Sequence, residues 1–101
     1  MCGIIGISSN KSVSANIINS LKKLEYRGYD SAGIATLSDG EINEVKSEGR
    51  VDNLEQNFDL KSLKGNIGIG HVRWATHGVP NSINAHPHSS DNVSVVHNGI
   101  I

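Results

Sequence analysis

The run GNIGIGHVRW, residues 65–74, admits two readings that lead to different folds. Glycine-rich segments cradle phosphates in nucleotide-binding α/β proteins, where they turn a strand into a helix. Here the spacing departs from the dinucleotide fingerprint, no GK[ST] is present, and no helical pattern follows. Ile67 and Ile69 instead alternate with Gly68 and Gly70, the two-residue period of a strand. The spacing predicts a strand over 66–72, running on into Arg73 and Trp74, with one bulky face and one bare face.

Working outward, GIIGI at 3–7 reads as a second short buried strand. GIATLS (33–38) and EINEVK (41–46) flank Asp39-Gly40, a hairpin dipeptide, and read as paired strands. From Ser12 to about Tyr26, Ile17, Ile18, Leu21 and Leu24 have helical spacing, with Ser12 or Ser14 available as N-cap and a stop at Arg27-Gly28. Val51, Leu54 and Phe58 fit one face of a shorter helix. A loop rich in Asn, Ser, His and Pro is expected from about 75 to 92, followed by a last strand VSVVH (93–97) turned by Asn98-Gly99. Strands joined by hairpin-type turns, with two helices, favour a layered α+β arrangement over a parallel βαβ sheet.

The bulk composition narrows the function classes. With 37% hydrophobic and 19% charged residues and a net charge of -1, the chain has no basic stripe for nucleic acid. It has no apolar stretch of membrane-spanning length and no secretory leader pattern. One cysteine cannot form an internal disulfide, which fits a reducing cytoplasm. Aromatics are 4%, so the core has few large anchors, and the chain stops on GII inside an apolar run. The expected object is one small domain or the first piece of a larger one, truncated at Ile101.

Several residues carry candidate chemistry. Histidines stand at 71, 77, 86, 88 and 97, and His86-Pro87-His88 brings two imidazoles near each other. No HExxH or paired CxxC accompanies them, so no metal site is expected, and histidines that organise a loop through backbone carbonyls fit better. HVRWATHG offers Arg73, Trp74, Thr76 and His77 at a strand end. Arg73 can grip a carboxylate with two parallel hydrogen bonds, or form a surface ion pair while Trp74 fills core. HNGII places the Asn98 side chain beside the Gly99 N–H, two neutral donors that can serve an oxyanion or simply make a turn. Cys2 becomes residue one if Met1 is removed. It then has a thiol and a free α-amine on one carbon, and that amine titrates near about 8, close to working pH. The amine can act as the base that activates the thiol, and the strand that starts at Gly3 would hold the terminus in place.

Together MCGIIG, LEYRGYDSAGIA, HVRWATHG, NAHPH and VVHNGII resemble the amino-terminal glutaminase domain of class II glutamine amidotransferases. Within that class the wording is that of the glutamine–fructose-6-phosphate aminotransferase (glucosamine-6-phosphate synthase) family. The resemblance implies an α+β, N-terminal-nucleophile (Ntn) hydrolase-type fold of αββα layers, with only its first part in 1–101. It implies that Cys2 attacks the side-chain amide of L-glutamine, forming a thioester and releasing ammonia for glucosamine 6-phosphate synthesis. Asn98 and Gly99 match the oxyanion hole and Arg73 the grip on the glutamine α-carboxylate. Trp74, Thr76 and His77 fall in the segment that covers glutamine. Arg27 and Gly28 match the loop beside the nucleophile, and His86 the periphery of the site. No cofactor, metal, nucleic acid or membrane is implied, and relatives are homodimers. The sugar-isomerase domains of such a synthase have no counterpart in 1–101. A second function class therefore stands beside the enzyme: an inactive fragment, or an interaction module that keeps the motifs.

Overall fold

Gly68 and Gly70 lie on the strand that organises the chain, and the helix Ser14–Leu24 packs directly onto them. In the computed structural model, which describes residues 3–25, 30–59, 63–73, 85–90 and 92–97, the elements follow in a simple order. They are β1 (Gly3–Ser8), α1 (Ser14–Leu24), β2 (Ser31–Ser38), β3 (Glu41–Glu48), α2 (Val51–Asn57), β4 (Ile67–Arg73), β5 (His88–Ser90) and β6 (Val93–Val95). The first four strands in space form one antiparallel sheet in the order β1-β4-β2-β3, and β5 and β6 form a separate two-stranded hairpin.

The period of two assigns each side chain to a face. Register sets Gly3, Ile5 and Ile7 of β1 beside Val72, Gly70 and Gly68 of β4, and those beside Ala32, Ile34 and Thr36 of β2. This face meets the helices. Val13, Ile17, Ile18 and Leu21 from the α1 segment and Val51 and Leu54 from α2 close the core on it. A Cβ on Gly70 would stand 2.6 Å from Ile17 Cγ2, so the bare face of β4 is the seat of α1. The carboxylate of Glu25 accepts the Val51 N–H at 3.1 Å, tying the end of one helix to the start of the other.

The opposite face carries Ile4 of β1, Ile67, Ile69, His71 and Arg73 of β4, and Leu37 of β2. Residues 85–90 lie across part of it. The His86 carbonyl oxygen occupies the place where any side chain at residue 33 would begin, so Gly33 admits this segment by having none. The Ser89 hydroxyl donates to Glu44 of β3, and the His86 ring stacks on His71 with centroids 4.2 Å apart.

The layered antiparallel architecture agrees with the sequence reading, and Asp39 and Gly40 turn β2 into β3 with φ of 53° and 77°. Local details differ. Val13, not Ser12 or Ser14, stands at the start of α1, and no side chain caps it. Its own burial fixes the start: Val13 is fully buried and its N–H donates to Gly65 O at 3.0 Å. Phe58 does not share the buried face of Val51 and Leu54, because α2 ends at Asn57 and Phe58 is extended, at φ -134°. The segment expected as loop to residue 92 contains β5, which the polar HSS sequence does not announce and which pairs with β6 through His88↔Val95.

Candidate functional site

β4 ends in His71, Val72 and Arg73, and each of these successive residues reaches a different part of the chain. Val72 pairs with Gly3, the residue after Cys2. His71 is fully buried, and its Nε2 lies 2.9 Å from the carbonyl oxygen of His97, the residue before Asn98. Arg73 is largely buried, and its guanidinium lies 3.9 Å from the Asp30 carboxylate. The strand end thus gathers the flanks of both sequence-predicted catalytic segments around one arginine. Among the sequence-predicted residues, Arg73 and His86 lie within the described residues. Cys2, Arg27, Gly28, Trp74, Thr76, His77, Asn98 and Gly99 lie outside them.

Asp30 is the residue that sequence reasoning missed on the arginine side. Its backbone N–H donates to Arg73 O at 2.7 Å and its carbonyl accepts the Gly49 N–H at 2.7 Å. Its carboxylate also accepts the Ser31 hydroxyl at 3.0 Å. A carboxylate fixed in this way faces the guanidinium and orients it. The fork of Arg73 presents several N–H donors in a planar array whose geometry matches a carboxylate. Asp30 lies inside the RGYDSAG motif, which was the only sequence signal for it.

The histidines form a stack on the same face. His71 and His86 lie with ring planes 19° apart, and His88 tilts against His86 with centroids 4.5 Å apart. The His97 N–H donates to His86 Nδ1 at 3.3 Å. A carbonyl only accepts and an amide N–H only donates, which fixes both tautomers: His71 carries its proton on Nε2, and His86 Nδ1 is bare. Burial, reinforced by repulsion from neighbouring His71, His88, Arg73 and His97 when these carry charge, pushes His86 down to about 4. Burial also holds His71 below its ordinary value, against the opposing pull of the His97 carbonyl. Both imidazoles are neutral at pH 7. His71 Nδ1 is buried and has no hydrogen-bond partner among the described residues. These links span 26 and 11 residues of sequence, a separation at which local spacing carries no signal.

Among the described residues, no three of His, Cys, Asp or Glu stand where they could hold a metal ion. Nor is any helix among them long and apolar enough to cross a membrane.

Comparison with known proteins bears on the ancestry and fold of the chain. The chain is 58% identical over 101 residues to the glutamine–fructose-6-phosphate aminotransferase (isomerizing) of Mesorhizobium japonicum, covering 100% of this chain and 17% of that protein. The enzyme of the same name from Clostridium acetobutylicum is 60% identical over 103 residues, with the same coverage. The chain therefore spans 17% of the length of the curated relatives it matches, corresponding to their amino-terminal part. In fold it is similar to the glutamine phosphoribosylpyrophosphate amidotransferase of B. subtilis, with a TM-score of 0.76 and 29% identity over 93% of this chain and 20% of that one. No protein-family model matches the chain. The chain is thus similar in sequence to the amino-terminal part of glutamine–fructose-6-phosphate aminotransferases and in fold to part of a glutamine phosphoribosylpyrophosphate amidotransferase.

Proposed function

We propose that residues 1–101 are the first part of a type-2 glutamine amidotransferase domain, which hydrolyses the side-chain amide of L-glutamine through Cys2. One observation carries this reading: successive residues at the end of β4 reach Gly3, His97 and Asp30. They draw together the neighbours of a nucleophile, of an oxyanion turn and of a carboxylate grip. Amide cleavage needs those parts and a base that works near neutral pH.

In this reading Met1 is removed and the α-amine of Cys2 takes the thiol proton, directly or through a water. The thiolate attacks the glutamine amide carbon, and the carbonyl oxygen becomes an oxyanion held by the Asn98 side-chain N–H and the Gly99 N–H. The α-ammonium returns its proton to the departing nitrogen, the C–N bond breaks, and ammonia leaves a glutamyl thioester. Water attacks the thioester, glutamate departs and the thiol is restored. Arg73 holds the glutamine α-carboxylate, Trp74, Thr76 and His77 cover the substrate, and Arg27 and Gly28 line the side of the nucleophile. In the whole protein the ammonia would serve amino-sugar synthesis from fructose 6-phosphate, in a homodimer of the cytoplasm. The relatives' names and the class of the similar fold support this reading.

The test is covalent. A diazo-ketone analogue of glutamine should label Cys2 stoichiometrically, with glutamine protecting and Cys2→Ala abolishing the adduct. Intact mass should show loss of Met1. A folded protein that retains Met1, or that the analogue leaves unlabelled, sinks the mechanism and favours a non-catalytic module.

A further inference from the structure

We infer that His71 and His86 are positioning residues that hold the backbone of His97, and thereby fix where the chain enters Asn98 and Gly99. The inference rests on the reading of those two residues as oxyanion donors.

The need for such a hold follows from where β6 stops. Its ladder with β5 ends at Val95, so sheet pairing no longer fixes the main chain at His97. Two imidazoles take over: His71 donates Nε2–H to the His97 carbonyl, and His86 accepts the His97 N–H on Nδ1. Both main-chain groups of one residue are thus bonded to side chains from elsewhere in the chain. The imidazoles are themselves fixed. His71 is fully buried on the central strand β4, and His86 stacks on it while its own carbonyl rests against Gly33. Oxyanion donors act by being in place before charge develops, so rigidity in the residue that leads into them translates into rate. A hinge one residue away would move Asn98 relative to Cys2, and displacements of about 1 Å can cost about a hundredfold.

The charged and titratable groups around the pair are Arg73 on β4, Asp30 ahead of β2, His88 on β5 and His97 itself, and His88 is in turn flanked by Lys46 and Glu44 of β3. As pH falls, His86 takes a proton and Nδ1 turns from acceptor to donor, so its bond to the His97 N–H must break.

The test uses the protein as its gene encodes it. His71→Phe and His86→Phe keep ring volume and remove the bond. Each should lower kcat for ammonia release from glutamine by about tenfold or more, with KM changed by less than about threefold. His71→Gln restores a donor near the Nε2 position and His86→Asn an acceptor near Nδ1, and both should recover most of kcat. Alkylation of Cys2 by iodoacetamide, which uses no oxyanion donor, should keep its rate throughout. Folded Phe variants with kcat within about twofold of the unsubstituted protein overturn the inference, as does failure of the conservative variants to rescue. If a Phe variant does not fold, hydrogen exchange on the unsubstituted protein decides. Protection of the His97 amide should collapse as pH drops through about 4 while that of the Gly70 amide persists, and a His97 amide that keeps its protection overturns the hold. An unsubstituted protein that releases no ammonia fails the glutaminase reading instead, and the same exchange measurement then decides the hold separately.

Discussion

Arg73 closes β4 with its side chain 11% exposed, beside an aspartate side chain 13% exposed. Charges so placed keep little of their hydration, and each depends on the other and on surrounding donors. The strand-end arginine was legible in HVRW as a carboxylate grip or an ion pair, and the structure adds that an internal carboxylate already faces it. Asp30 is tethered by its own backbone and by Ser31 and so acts as a fixed wall for the guanidinium. Asp30→Ala removes that wall. It should destabilise the fold by about 2 kcal/mol, the scale of a charge-assisted bond lost in a partly dry site. It should also raise KM for glutamine several-fold with a smaller effect on kcat. Urea unfolding and steady-state kinetics check the pair, and an unchanged KM removes Asp30 from the grip.

At the scale of elements, the decisive contact is α1 on the glycine face of β4. A Cβ on Gly70 would meet Ile17 at 2.6 Å and Leu21 at 3.1 Å, whereas one on Gly6 of β1 would find its nearest neighbour at 3.9 Å. Gly70→Ala therefore pushes the helix off the sheet and should cost about 2 kcal/mol. Gly6→Ala has room and restricts the unfolded chain, so it should be neutral or stabilising by about 0.5 kcal/mol. Denaturant midpoints of the two variants test the contrast, and equal losses would mean that α1 does not seat on β4. The strand and its bare face were legible because alternation of Ile with Gly is a local pattern with a clear period, whereas which helix fills that face was not. The start of α1 at Val13 and the strand β5 were not legible. Val13 is placed by burial and by its bond to Gly65, and HSS becomes a strand only because β6 pairs with it and Glu44 takes the Ser89 hydroxyl. Such pairings are settled in three dimensions and leave no period behind. The histidine stack escaped sequence reading for the same reason, although histidines bonding to backbone carbonyls were the expected role.

Across the whole molecule, the two faces of the four-stranded sheet are treated unequally. One is sealed by both helices. On the other, Ile4 is 42% exposed, Leu37 41% and Ile67 47%, and the hairpin adds Val93 at 55% and Val95 at 50%. Leu37 and Ile67 sit directly opposite each other in register, at the end of the sheet away from Arg73. Between sheet and hairpin lies a cleft of about 240 Å³, bounded by Leu37, Ile42, Ile67, Ile69 and Asn92. Neither Arg73 nor His86 is among its described lining residues. Apolar surface of this kind is costly to leave in water. The 101-residue chain by itself should therefore bind a hydrophobic reporter dye strongly while folded. Leu37→Thr with Ile67→Thr should cut that fluorescence by about half or more while leaving the circular dichroism spectrum unchanged, because neither side chain belongs to the core beneath the helices. Fluorescence that stays the same in the double variant would mean that these side chains are covered, and that the sheet packs differently on its second face.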